Sequence, residues 1–356
     1  MFGLKKPIET SEHTQSYYVA TANNCTQYPH LEGQINTDVV VVGGGFSGVN
    51  TALELAEKGF QVVLLEANRI GWGATGRNGG QVIGGIGHGH ERFTKQIGAT
   101  GIQALYDMGV ECVDIVRQRV SQYAIDCDLT MGYMDVALKS AHMRDFEADK
   151  RHMEGMGYAH QLELLDSQQV REEVGSDNYI GGLLDRTGNG HCHVLNLCLG
   201  EAAAAASLGV QIYEQTRVIH LQQGSQPVVT TEAGQVKAKH VVLCGNAYLG
   251  NLVPKLDRRI LPANSSVVTT RPLSQTQLQD LIPNNRAICD PRTALDYYRL
   301  TADGRLLFGG LSNYTGREPS NLFATMQTKI HKVFPQLQGV ELEYGWSGQM
   351  GIGINR

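Results

Sequence analysis

Four residues near the front of the chain are spaced to hold a dinucleotide: Gly43, Gly45, Gly48 and Glu66. The apolar run Val39-Val40-Val41-Val42 enters the turn Gly43-Gly44-Gly45-Phe46-Ser47-Gly48, and a second run, Val62-Val63-Leu64-Leu65, ends in Glu66, eighteen residues past Gly48. Gly43 permits a tight exit from a strand, Gly45 lets backbone approach a pyrophosphate, and Gly48 lets a helix pack closely on a sheet. A helix beginning at Phe46 and Ser47 aims free N–H groups at phosphate. Glu66, followed by Ala67, stands where a carboxylate accepts hydrogen bonds from both hydroxyls of an adenosine ribose and repels a 2′-phosphate, which disfavours NADP.

A second loop separates FAD from NAD. Gly71-Trp72-Gly73-Ala74-Thr75-Gly76-Arg77-Asn78-Gly79-Gly80-Gln81 follows the acid directly, with further glycines at 84, 85, 87 and 89. An NAD fold has no use for such a loop. A larger cofactor does, because glycines let backbone run along a flat ring and polarise it. Thr75, Arg77 and Asn78 supply donors for phosphate and flavin edges, within the candidate stretch Thr75, Gly76, Arg77, Asn78, Gly79, Gly80 and Gln81. A third segment, Gly234 to Ala247, reads as a hairpin strand feeding a buried strand, Val241 to Cys244, and a turn at Gly245-Asn246. The run Gly209 to Val218 resembles a flavoprotein strand whose end, near Arg217 and Val218, passes the adenine. The cofactor expected is FAD.

These segments need elements to position them. Val49, Ala52, Leu53 and Ala56 share one face of a helix from Phe46 to Lys58, which Gly59 ends. Residues 1–36 read as an irregular arm anchored by Ser16-Tyr17-Tyr18. The fold class is α/β: a Rossmann-like FAD-binding domain with a parallel sheet (37–90, 185–255 and 335–356) and an inserted α+β substrate domain with an antiparallel sheet (91–184 and 256–334). In the latter, Asp296 to Gly310 forms a hairpin with Asp303-Gly304 at its turn.

The chain has 356 residues, enough for two cores, and a net charge of −5 with no basic run, so nucleic acid is not an expected partner. No apolar stretch reaches membrane length and the N-terminus lacks a signal core, so the expectation is a cytoplasmic protein without a membrane span. Seven cysteines at irregular spacing, with no Cys-x-x-Cys, are expected to be free buried thiols. His191 and His193 alternate like strand neighbours without further ligands, and no metal is expected. His88 and His90 are expected to be solvated, and Trp72 to pack rather than stack on a flavin.

With these motifs in place, the chain resembles the D-amino-acid-oxidase-like FAD oxidoreductases, in particular their gamma-glutamylputrescine-oxidising branch. The resemblance runs over nearly the whole chain: Ser16-Tyr-Tyr, the glycine turn, Ala74 to Gln81, Gln161 to Asp166, Ala247-Tyr-Leu-Gly250, Leu295 to Asp303 and Phe334-Pro-Gln-Leu337. It departs at Val194, where relatives carry proline. It implies oxidation of the carbon beside a small-molecule amine, hydride passing to the flavin, and hydrolysis of the imine to aldehyde and ammonia. Molecular oxygen or another acceptor takes the electrons. It also implies a closing glycine-rich turn and helix beyond Arg356, so the chain is expected to be a fragment or truncated, and a non-catalytic or partner-dependent FAD-fold fragment stays open as an alternative. Oxidation of sarcosine, glycine or proline stays open beside gamma-glutamylputrescine.

For the substrate, the candidates are Tyr297, Tyr298 and Arg299. Neighbouring strand residues face opposite ways, so one tyrosine at most lines a pocket. Arg299 could meet a glutamyl carboxylate or pair with Asp296. Thr269, Thr270 and Tyr133 are weaker candidates.

Overall fold

The valine run forms the inner half of a strand, Gly33–Val42, which pairs in parallel with Val62–Leu65 on one side and Gly234–Leu243 on the other. The computed structural model describes residues 10–86, 93–314 and 319–353; His88 and His90 lie outside them. Gln211–Tyr213 adds a fourth parallel strand, and Val228–Thr231 and Val218–Gln222 extend the sheet antiparallel. A parallel sheet needs cover on both faces. Helices Phe46–Glu57 and Val194–Ser207 share a core with Val39, Val41 and Leu64 on one face; Leu31, Val40, Val63 and Leu65 form the other.

The segment expected as a hairpin strand followed by a buried strand is one continuous strand, Gly234–Leu243. Val241, Val242 and Cys244 are half-buried, because they lie at the carboxyl end beside the Gly43 turn and not in the core.

Among the described residues the second sheet has nine strands. Eight run in the spatial order Leu342–Gly353, Ile260–Thr270, Leu306–Asn313, Tyr297–Leu300, Ala287–Cys289, Thr130–Ala137, Gly181–His191 and Gln81–Val82, and Leu162–Asp166 also pairs with Gly181–His191. Every pairing is antiparallel except that of Ala287–Cys289 with Thr130–Ala137, so the sheet is mixed. Strand residues alternate between faces. Met134, Val136, Ile288, Tyr298 and Phe308 pack on helix Leu322–Val333. The register sets Asp135 beside Cys289, Cys289 beside Tyr297, and Tyr297 beside Gly309 on the opposite face.

Strand Leu342–Gly353, grouped from sequence with the cofactor lobe, runs along Ile260–Thr270 in the second sheet. It still touches the glycine loop, since Arg77 Nη1 donates to the Ser347 carbonyl at 3.3 Å. In the described part of the arm, Ser16 caps the short helix Tyr17–Ala20, both tyrosines are buried, and Trp72 Nε1 donates to the Glu12 carbonyl; its last residues, from Gly33, already belong to strand Gly33–Val42. Of the seven cysteines, all free, Cys25 and Cys112 are exposed, because both stand on outward-facing surfaces, one on the arm and one on a helix.

Candidate functional site

The site begins at the carboxyl ends of the parallel strands. Gly43 has φ +114°, and a Cβ there would stand 2.6 Å from the Cys244 carbonyl oxygen. A Cβ on Gly48 would stand 1.8 Å from the Gly43 carbonyl oxygen, so the helix can approach the strand only with glycine there. The Gly44 amide donates to Glu66 Oε2 at 2.6 Å and the Asn68 amide to Oε1 at 2.8 Å. Both carboxylate oxygens keep a lone pair for a ribose. Burial pushes the Glu66 carboxyl up, and the two amide donors hold it down. Deep as it lies, Glu66 retains accessible surface.

Arg217 is exposed, but its charge reaches Glu66, because the Thr216 amide is bonded to the Glu66 carbonyl at 2.8 Å. Val218 opens the edge strand that follows, and Ala67 sits half-buried after the acid. Phe46 and Ser47 start the helix, and Thr75 Oγ1 accepts from the Phe46 amide at 2.9 Å. Thr75 therefore stands at the helix N-terminus, where phosphate is favoured. Gly45 must be glycine for this, since its Cβ would lie 2.9 Å from Thr75 Oγ1.

The second loop is braced rather than free. Asn78 Nδ2 donates to the Ala74 and Thr75 carbonyls, and Asn78 Oδ1 accepts from the Gly80 amide, so this side chain folds the loop on itself. The Gly76 amide donates to the Gly71 carbonyl. The Arg77 guanidinium lies 4.5 Å over the Trp72 ring and donates to the Trp72 carbonyl. Gln81 Nε2 donates to the Ile288 carbonyl in the second sheet. Gly245 and Asn246 meet strand Leu342–Gly353: Asn246 Oδ1 accepts from the Gly351 amide and Nδ2 donates to the Gln349 carbonyl.

Arg299, expected as a substrate contact, is 2% exposed. It donates to the carbonyls of Gly79, Cys192 and Leu300 and to the Tyr18 hydroxyl. Its pairing with Asp296 is not formed; Asp296 is held by Arg292 and Lys329. Arg299 thus ties the glycine loop to the arm and the second sheet. Tyr298 points the other way, into the core, where it stacks on Phe308 and donates to the Tyr179 hydroxyl at 2.7 Å.

Tyr297 faces the loop. A Cβ on Gly79 would fall 2.1 Å from its ring, and one on Gly309 would fall 2.0 Å from it. Tyr297 packs with Tyr133, Ala287, Cys289 and Leu295, and burial raises its phenol. Thr269 is buried with its hydroxyl unbonded, and Thr270 accepts from the Leu306 amide. His193 caps helix Val194–Ser207 and burial lowers it to about 4; His191 Nε2 donates to the Asn285 carbonyl at 2.8 Å, and burial lowers it to about 3. Trp72 packs against Tyr248.

Asp135 was not singled out by its sequence. Tyr133 OH donates to Asp135 Oδ1 at 2.7 Å. Burial raises the Asp135 carboxyl to about 7, against the lowering effect of that bond. The spacing Tyr133-x-Asp135 in a strand does put both on one face, but only the register shows that this face is Tyr297's.

A glycine cradle that excludes any Cβ, a helix N-terminus and a ribose-competent carboxylate together fit FAD. The chain matches the family of FAD dependent oxidoreductases (DAO) over residues 38–354 and belongs to it. It is an FAD-dependent oxidoreductase. It is 44% identical to gamma-glutamylputrescine oxidoreductase of Escherichia coli, covering 97% of this chain and 81% of that protein. It is 40% identical to a probable oxidoreductase, OrdL, of Haemophilus influenzae, over 97% of this chain and 80% of that protein. Among solved structures, glycine oxidase from Geobacillus kaustophilus shares the fold with a TM-score of 0.72 at 22% identity, covering 90% of this chain and 84% of that one.

Proposed function

We propose that this protein oxidises the carbon beside the nitrogen of a small amine, with gamma-glutamylputrescine as its substrate and an aldehyde, ammonia and hydrogen peroxide as products. The observation that carries this reading is the 44% identity with gamma-glutamylputrescine oxidoreductase along 97% of the chain. The parallel-sheet unit takes the FAD and the second sheet takes the amine. Bound FAD supplies a hydride acceptor. Gly43, Gly45, Gly48, Thr75 and Glu66 would hold its phosphate and ribose parts, and the Gly79–Gln81 backbone would run along its ring.

The rest falls to the chain's own side chains. Tyr297 presents an aromatic face to Gly79, which excludes water and aligns an alkyl amine along the sheet. Positioning of this kind brings the reacting C–H into line without a further chemical group. Arg299 keeps the loop at a fixed height above that face. No described helix is long and apolar enough to cross a membrane, and we place the reaction in the cytoplasm, with molecular oxygen as acceptor.

The test is a substrate panel. Purified protein is given gamma-glutamylputrescine, putrescine, sarcosine, glycine or proline, and peroxide and ammonia are measured. Gamma-glutamylputrescine is expected to give the highest kcat/KM. A clear preference for glycine, sarcosine or proline would replace the substrate assignment.

A further inference from the structure

On the face of the second sheet that meets the glycine loop, Asp135 is a carboxylate with no counter-ion among the described residues. Asp135 lies two strands from Tyr297, roughly 10 Å at the usual strand spacing, within reach of a small amine lying on the Tyr297 ring. It is enclosed by protein yet keeps accessible surface. Its direct partner is the Tyr133 hydroxyl. The charged and titratable groups that face it are Tyr133 on its own strand, Cys289 and Asp290 on the neighbouring segment, and Asp149 on the helix Ser140–Gly155. Asp290 is neutralised by Arg292 at 2.5 Å. Among the described residues, no Lys, Arg or His pairs with Asp135. A buried carboxylate in that condition is costly unless a cation joins it.

We propose that Asp135 receives the substrate's ammonium group and removes its proton, with Tyr133 positioning the carboxylate. This deepens the amine-oxidising reading and rests on it. Hydride can leave the carbon only when the neighbouring nitrogen has a free lone pair, and an alkylammonium, with a pKa of about 10, lacks one at neutral pH. In the step assigned here, R–CH2–NH3+ passes one proton to the Asp135 carboxylate and becomes R–CH2–NH2. The carboxylate becomes a carboxylic acid, and nothing is oxidised or reduced. A carboxyl lifted by burial to about 7 is matched to this task, because its basicity is high while it is still ionised at working pH.

The experiment uses the flavin-loaded protein and its Asp135→Asn and Tyr133→Phe variants, with gamma-glutamylputrescine as reductant. Anaerobic flavin reduction is followed across pH. Asp135→Asn is expected to keep the flavin spectrum, to reduce about 10²-fold more slowly, and to lose the acid limb of the wild-type profile near neutrality. Tyr133→Phe removes a bond that lowers the Asp135 pKa, so its limb should move to higher pH with a smaller loss of rate. This shift tests the pairing even if the Asn variant folds poorly. Native rate and an unchanged limb in Asp135→Asn, or a rise in KM alone, would overturn the proposal, as would a Tyr133→Phe limb that stays in place. If the wild-type flavin is reduced by no amine, the parent reading fails instead, and that is read on the wild type alone.

Discussion

Tyr297 and Tyr298 show how one residue step decides between chemistry and packing. Tyr298→Phe would strand the buried Tyr179 hydroxyl, whose partner is Tyr298. Its cost should be about 1–2 kcal/mol of stability, measured by denaturant unfolding, with turnover unchanged. Tyr297→Ala, if the proposed alignment of the substrate by its ring holds, should lower amine turnover about 10-fold or more, and it should also cost stability, because the ring packs with Tyr133, Ala287, Cys289 and Leu295. Glu201 offers a pH test. It is 1% exposed in helix Val194–Ser207 and accepts from Asn50 Nδ2 at 2.8 Å. Burial raises its carboxyl to about 7, above the roughly 4.3 of an unfolded glutamate. The folded state therefore binds the proton more tightly. Its contribution is fully present below that unfolded value and is lost as pH rises towards 7. Glu201→Gln should raise Tm at pH about 8, by stability on the order of 4 kcal/mol at most, and leave Tm unchanged at pH about 4.

At the scale of elements, the strand–turn–helix unit is where sequence and structure agree closely. Gly48 acts through a contact five residues away, so its role is readable from local order, whereas Gly43 and Gly45 meet the distant Cys244 and Thr75. Gly48→Ala should abolish FAD retention through gel filtration, because its Cβ would meet the Gly43 carbonyl at 1.8 Å. Thr75→Val leaves the Phe46 amide without its side-chain acceptor and should weaken FAD binding about 5–10-fold, or roughly 1 kcal/mol. What the sequence could not disclose depends on distant partners. Arg299 looked free to meet substrate, yet its acceptors lie at Gly79, Cys192 and Tyr18. Asn78 looked like a ligand donor and instead closes its own loop. Strand Leu342–Gly353 was grouped with the cofactor lobe, and its pairing with Ile260–Thr270 in the second sheet spans a long stretch of chain that local order does not reveal. Asp135 carried no local mark, since the meaning of an acid in a strand depends on which face the register gives it.

Across the whole molecule, two sheets meet at one loop. The Gly71–Gln81 segment begins against the parallel sheet through the Gly71 amide to the Gly44 carbonyl, and ends in the second sheet, where Gln81 pairs with His191. A ligand that orders this junction stabilises the whole fold by linkage: at a hundred times Kd, added FAD should contribute about 2.7 kcal/mol and raise Tm accordingly. The central claim joins both halves, a flavin held by one sheet and an amine presented by the other. The measurement that tests it is anaerobic titration of the flavin-loaded protein with gamma-glutamylputrescine, followed at the flavin band near about 450 nm. Stoichiometric bleaching by gamma-glutamylputrescine, reversed on admitting oxygen, is the result expected. A protein that holds flavin and whose band is untouched by this substrate, or by any amine of the panel, would contradict the account.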